Sequence, residues 1–401
     1  MRVRKFSIFW GGSLFSVIGS QMQFWTLLWQ IAEITDQPIF VSGIGLVRFI
    51  AILLFSLVAG VIADSFNRRT ILFITQGTMM AVAIGLGLLT SSGTIEVWHI
   101  YLLTGIQAMA AAFDGPARQS LIPNLLPREL YPNAFSLQSI GLNTGTILGS
   151  GLSGLVIGVF GMQWVYYINA FTYLFVLGAL FLIGEISSSQ GVPATSPRVV
   201  SLKAIGEGIQ FIFQRPIILS SMLLDFFATF FSSANTLLPF VATDILHVSS
   251  KEYGLLSAGQ SLGAVVVGLL FSQRARVRKQ GRLLLSAVTA FGVATIIFGL
   301  SRSFWLTLFA LIFVGAADSV STILRNTIRQ LQTPDYIRGR MVSINQIFFA
   351  GGPQLGEIEA GVVAQAFGVP AAILTGGVGC IVAVMAISRI WPQLPKYDEV
   401  T

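Results

Sequence analysis

Charged side chains inside long apolar runs are the residues of this chain best placed to do chemistry. An ionisable group at the centre of a bilayer costs at least ~2.5 kcal/mol, so it is retained only where something uses it. Asp225 stands nine residues beyond Pro216 in such a run, roughly 13 Å along a helix. A carboxyl there is a candidate for proton or substrate coupling; the competing reading is a carboxylate fixed by a neighbouring arginine or by the hydroxyls of Ser221 and Thr229. Glu33 and Arg48 fall on one side of the membrane and read first as a salt bridge between two helices, although in a cavity Arg48 would attract an anionic cargo. Asp318 is open to the same two readings. Glu357 and Glu359, two residues apart, lie about 200° apart around a helix, so at most one faces a transport path. The glycines beside them, Gly351, Gly352, Gly356 and Gly361, read as close helix packing. Most aromatics must be packing or lipid contacts, but Phe226 and Phe230 beside Asp225, and Trp25 in the first run, could wall a pocket for a bulky amphiphile.

Enzyme chemistry has little to stand on. His99 and His247 are far apart, the lone Cys380 lies in an apolar run, and no His, Cys and carboxylate cluster has metal-ligand spacing. No nucleophile, base and orienter are grouped, and there is no ATP motif. The expectation is therefore no catalytic residue, no metal and no cofactor.

These residues need a membrane-spanning frame. Hydrophobic residues make up 54% of the 401 positions and charged residues 10%, against about a quarter charged in soluble domains. The apolar runs are about 20 residues long, the length of a transmembrane helix, and lack the alternation of a barrel strand. The chain reads as an all-α polytopic membrane protein with twelve transmembrane helices: the first from Phe6 to Ile34, then near 40–63, 70–91, 97–117, 134–160, 164–184, 217–240, 253–272, 283–301, 304–325, 341–367 and 370–390. Arg2, Arg4 and Lys5 ahead of the first run resemble a signal peptide, but the run is too long for one. When loops alternate sides, Arg68, Arg69, Arg118, Arg325, Arg329 and most other cations fall on one side, and only Lys251 and Arg302 on the other. By the positive-inside rule the rich side, with both termini, is cytoplasmic. The net charge of +7 thus sets orientation and does not indicate nucleic acid.

A Ser/Pro/Gly linker, Ser187 to Pro197, followed by an amphipathic stretch from Ser201 to Gln214, divides the chain. This gives an N-terminal six-helix bundle (1–184), a cytoplasmic linker with an interfacial helix (185–216) and a C-terminal six-helix bundle (217–401). A shift of 207 residues places Arg118 on Arg325, Ser120 on Thr327, Pro127 on Pro334, Ser136 on Ser343 and Ile140 on Ile347. Repeated halves with a site between them are a transporter architecture. The polar hinge from Gly60 to Thr70 is only half repeated, since Ser272 stands where Asp64 would recur.

That hinge, Gly60-x-x-Ala63-Asp64-x-x-x-Arg68-Arg69, resembles the signature between helices 2 and 3 of the major facilitator superfamily, with Ser65 and Asn67 departing from the usual basic residue and glycine. Phe113-Asp114-Gly115-Pro116-Ala117-Arg118-Gln119-Ser120, Leu224-Asp225-Phe226-Phe227-Ala228 and Thr333-Pro334-Asp335 with Arg338-Gly339-Arg340 are similar to its bacterial efflux branch, which includes enterobactin-type siderophore exporters and macrolide-efflux proteins. The resemblance implies two pseudo-symmetric six-helix bundles and a conformational gate of Gly60, Asp64, Arg68, Arg69, Asp114 and Arg118. In that gate Arg68 would bond Asp114, and Asp64 would meet the start of helix 11 near Met341. It further implies a proton antiporter of the bacterial inner membrane that exports a medium-sized amphiphile by alternating access; a monomer is the expected state. Its partners would be small-molecule cargo, protons and the lipid bilayer. An importer of a small metabolite and a non-transporting membrane sensor are the alternatives.

Overall fold

The computed structural model describes residues 4–184, 202–231, 233–272 and 278–398. The linker read at 187–197 lies outside them. Helices α1 (Arg4–Thr35), α2 (Pro38–Ser65), α3 (Arg68–Ser91), α4 (Val97–Leu125), α5 (Tyr131–Phe160) and α6 (Met162–Ile183) are followed by α7 (Leu202–Phe213) and α8 (Pro216–Phe231). Then come a short α9 (Leu238–Phe240), α10 (Ser250–Ser272), α11 (Gln280–Leu300), α12 (Phe304–Gln332), α13 (Asp335–Phe367), α14 (Val369–Ile390) and a closing turn, α15 (Gln393–Lys396).

Local sequence sets the boundaries. Pro38 opens α2, where its missing N–H costs nothing. Asn67 caps α3 by accepting from the Arg69 amide at 3.0 Å. Gly161 (φ +93°) and Gly368 (φ +87°) form the tight joints between α5 and α6 and between α13 and α14, a backbone region that favours glycine.

Among the described residues nine helices are long and apolar enough to cross a membrane by length and composition. Helices α1, α4 and α13, of 32, 29 and 33 residues, complete the expected twelve. Their hydropathy is lowered by the polar side chains they bury, Gln23 and Gln30 on α1, Asp114 on α4 and Glu357 on α13. Leu53, Leu54, Phe181, Leu182, Phe313 and Phe367 are exposed apolar side chains, suited to lipid. The seventh span, Pro216–Ile245, is not one continuous α-helix: α8 ends at Phe231, and the chain resumes as a 3₁₀ turn at Asn235–Leu237, then α9 and a π turn at Val241–Ile245.

The chain falls into two compact units. One takes in α1–α6 together with Val248–Ala258, the other α7–α9 and everything from Gly259 onward. In the first, α1 packs on α5 and α6, and α4 on α2 and α3, around Phe6, Phe9, Leu72, Leu121, Leu180 and Ile183. Residues 248–258 join it where Gly154 of α5 lies against the backbone of Ser250 and Gly254. In the second, α8 packs on α13 and α14, and α11 on α12 and α14, around Leu224, Leu284, Val288, Leu324, Ile328 and Cys380. Amphipathic α7 seats Phe211 and Ile212 on Ile337, Met341 and Ile344 of α13 and leaves Ile209 and Phe213 exposed.

Candidate functional site: a buried charge cluster in each unit

Ion pairs inside spanning helices occur in both units. In the second unit, Asp318, Thr322, Arg325 and Arg329 of α12 follow one another at intervals of four, three and four residues, which places them on one face. Opposite stands Asp225 of α8. Its Oδ1 pairs with Arg325 Nη1 at 2.8 Å and its Oδ2 accepts from Arg329 Nη2 at 3.1 Å. Arg329 also donates to Ser221 Oγ (3.3 Å) and to the Ser221 carbonyl (3.0 Å), and Arg325 Nη2 donates to Thr322 Oγ1 (2.8 Å). The Asp225, Arg325 and Arg329 side chains are 2–3% exposed. Asp318 differs: its side chain is 44% exposed and reaches Arg325 at 3.6 Å. Two cations and two anions leave the cluster neutral when both carboxyls are ionised, which offsets the several kcal/mol that each buried ion costs.

In the first unit, Asp114 of α4 accepts at Oδ1 from Thr75 Oγ1 (3.0 Å) and Gln76 Nε2 (2.6 Å), and its Oδ2 pairs with Arg118 Nε at 2.9 Å. Arg118 also donates to Ser13 Oγ of α1 at 2.6 Å and lies over the Phe9 ring. The pair lines a cavity of about 290 Å³ with Phe6, Phe9, Trp10, Gln76 and Gln138. Arg118 and Arg325, one repeat interval apart, therefore both reach the first spanning helix of their own unit. The acceptor is a hydroxyl in one unit and a carboxylate in the other. Elsewhere in the first unit Gln23 is held between Gln107 (2.5 Å) and Asn169 (2.6 Å), and Tyr166 donates to Gln30 at 2.5 Å.

Several expectations meet a different arrangement. Glu33 and Arg48 form no ion pair: Glu33 accepts from the Trp29 indole one turn earlier at 2.6 Å, while the Arg48 guanidinium lies 4.9 Å from the Phe24 ring centroid. Among the described ion pairs Asp114 is joined to Arg118 and not to Arg68, because the i, i+4 partner on its own helix occupies Oδ2. Arg69 donates to the Leu180 carbonyl at 2.9 Å and lies over Phe73. The Asp64 side chain lies outside the described residues, and α2 runs through both Gly60 and Asp64. Trp25 is buried against Tyr253, whose hydroxyl donates to the Trp25 carbonyl at 2.9 Å, and it does not line the first unit's cavity. Phe226 stacks on Phe230 and meets Phe348 of α13 edge-on. On α13, Glu357 is buried and Glu359 half-buried, as a separation of about 200° requires. Arg325 and Arg329, read from sequence as topology-setting cations, are buried within α12 as partners of Asp225. Their spacing of seven and eleven residues from Asp318 was the available signal.

Two helical units with neutralised charges buried inside spanning helices are the layout of a secondary transporter, and solved structures share the fold. The nucleoside transporter NupG superposes with a TM-score of 0.72 at 14% identity, covering 97% of this chain and 100% of that one. A bacterial homolog of the human lysosomal transporter Spinster gives 0.72 at 15% identity, with 98% of each chain covered. A POT family transporter in complex with a thioalcohol-conjugated peptide gives 0.74 at 11%, with 98% and 96% covered. At such identities the likeness is one of fold alone, the all-α fold of the major facilitator type.

The chain belongs to the transmembrane secretion effector family of that superfamily, whose model matches residues 1–401. Its curated relatives include the enterobactin exporter EntS of Citrobacter koseri, 25% identical over 343 residues that span 86% of this chain and 81% of the relative. EntS of Shigella boydii serotype 18 is 27% identical over the same shares. The protein is thus a multi-pass secondary transporter of small-molecule cargo.

Proposed function

We propose that this protein exports a medium-sized amphiphilic molecule, a siderophore or a drug-like compound, by proton antiport and alternating access. The observation that carries the reading is the cluster of buried Asp225, Arg325 and Arg329 with the partly exposed Asp318, since ionisable groups inside spanning helices mark ion and substrate pathways. The enterobactin exporters among the relatives support the outward direction and the cargo class. The aromatic side chains of Phe226, Phe230 and Phe348 supply apolar surface of the kind that lines ligand pockets. The hinge acid Asp64 serves the conformational gate, with Asp114 and Arg118 on the neighbouring α4. The protein works as a monomer in the bacterial inner membrane with both termini in the cytoplasm, an orientation supported by the cation-rich loops.

The test is a deletion strain whose cell extract and culture supernatant are compared by mass spectrometry with those of the complemented strain. Export predicts that one metabolite accumulates in the cells and falls in the supernatant. The reverse distribution identifies an importer, and unchanged pools remove the transport reading.

A further inference from the structure

We infer that Asp318 is the carboxyl that takes up and releases the coupling proton, and that Asp225 is its fixed counter-ion. The inference rests on the antiport reading above and assigns the roles within its charge cluster. The two acids sit in different surroundings although both contact Arg325. Asp225 is held through both oxygens, by Arg325 at 2.8 Å and Arg329 at 3.1 Å, with its side chain 2% exposed. A proton arriving there would have to displace a guanidinium and leave two cations without their common anion, which is the costly way to break a buried ion group. Asp318 has one arginine contact, at 3.6 Å, and a 44% exposed side chain, so its carboxylate is open on one side and a proton needs to displace only that contact.

The charges facing Asp318 can be named for each element packed on α12. Helix α8 brings Asp225, and α12 itself brings Arg325 and Arg329. Helix α10, which receives the Ser319 hydroxyl at the Ala264 carbonyl, carries its charges, Lys251 and Glu252, only in its first turn, and the one charge of α11, Arg282, is exposed near its start. Among the described ion pairs, Arg325 is the one cation in contact with the Asp318 carboxylate.

Protonation follows directly. A proton adds to a carboxylate oxygen of Asp318, giving the neutral acid, and the contact with Arg325 is lost. Arg325 keeps Asp225 Oδ1 and the Thr322 hydroxyl, its two nearer partners. The cluster passes from neutral to a net charge of plus one, held on Arg325 and Arg329, and returns to neutral when the proton leaves. Proton binding thereby changes one contact of Arg325 and leaves the link between α8 and α12 in place. A carrier at Asp225 would instead break both ion pairs between the helices in every cycle and leave the Arg329–Ser221 bonds.

The experiment uses the purified full-length protein in lipid vesicles. Infrared difference spectra between alkaline and acid buffer read the carboxylic-acid band that appears on protonation, and need no cargo. One component of that band, which sums all the carboxyls that protonate, should be lost in Asp318→Asn, move in Asp318→Glu, and persist in Asp225→Asn. Survival of the full band in Asp318→Asn, or its loss in Asp225→Asn alone, overturns the assignment. In parallel, vesicles are given enterobactin with and without an imposed proton gradient. Asp318→Asn should unfold thermally near the wild-type temperature, which reports a folded protein, yet its gradient-driven accumulation of enterobactin should fall to the no-gradient level while Asp318→Glu retains it. Wild-type accumulation that persists in Asp318→Asn overturns the inference and leaves antiport standing. A wild-type protein that ignores the proton gradient overturns antiport itself, even if Asp318 titrates, and the coupling role with it.

Discussion

Replacing Asp225 with asparagine removes the one anion shared by two buried guanidiniums. The contacts at 2.8 and 3.1 Å each correspond to roughly 5–6 kcal/mol of attraction at an effective dielectric of about 20. Much of that only offsets the cost of dehydrating the ions, so breaking such a group by deleting one partner costs about 3–5 kcal/mol in practice. Asparagine keeps an oxygen that can accept from Arg329, which places Asp225→Asn toward the lower end of that range. Asp114→Asn is the internal comparison. Asp114 takes two of its three bonds from neutral donors, Thr75 and Gln76, and its partner Arg118 is 16% exposed, so its loss should stay nearer the ~1.5–3 kcal/mol of a charged hydrogen bond. The assay is reversible denaturant unfolding of the purified protein in mixed micelles. A double-mutant cycle with Arg329→Met separates the pairwise interaction from the burial cost. The reasoning is refuted if Asp225→Asn costs less than about 1 kcal/mol, the scale of an exposed ion pair, or less than Asp114→Asn.

Three further outcomes follow from the packing and the gate. Gly315→Ala should destabilise the second unit by about 1–3 kcal/mol, because a Cβ there would meet the Gln260 backbone of α10; thermal unfolding of the variant measures it. Gln23→Leu leaves Gln107 and Asn169 without a shared buried partner, at about 1–3 kcal/mol for each group left unpaired, and hydrogen exchange should rise first in α1 and α6. Asp64→Asn should slow the transport cycle while cargo affinity in a binding assay stays within about threefold, under 1 kcal/mol; a collapse of affinity would remove Asp64 from the gate.

The helical frame was legible because apolar runs of the right length leave a chain few alternatives in a bilayer. At the joints Pro38, Asn67, Gly161 and Gly368 each answer a local backbone requirement. Asp225 stood out as a charge deep in a span. Its partners did not, because Arg325 and Arg329 lie toward the C-terminal end of α12, where cations ordinarily report topology, and only the face they share with Asp318 distinguishes them. The expected Glu33–Arg48 pair failed for a related reason. Sequence places two charges at one depth but does not say which way they turn, and Trp29 and Phe24 on α1 supply nearer partners. Trp25 looked free to line a pocket, since nothing in the sequence ties it to Tyr253, 228 residues away.

The central claim is proton-driven export, and everted membrane vesicles test it most directly. Vesicles from cells producing the protein are energised and given the metabolite that the deletion strain retains. The account predicts accumulation inside them above the level in vesicles lacking the protein, and its collapse when a protonophore dissipates the gradient. Accumulation indifferent to the protonophore, or no accumulation beyond the control, would contradict it.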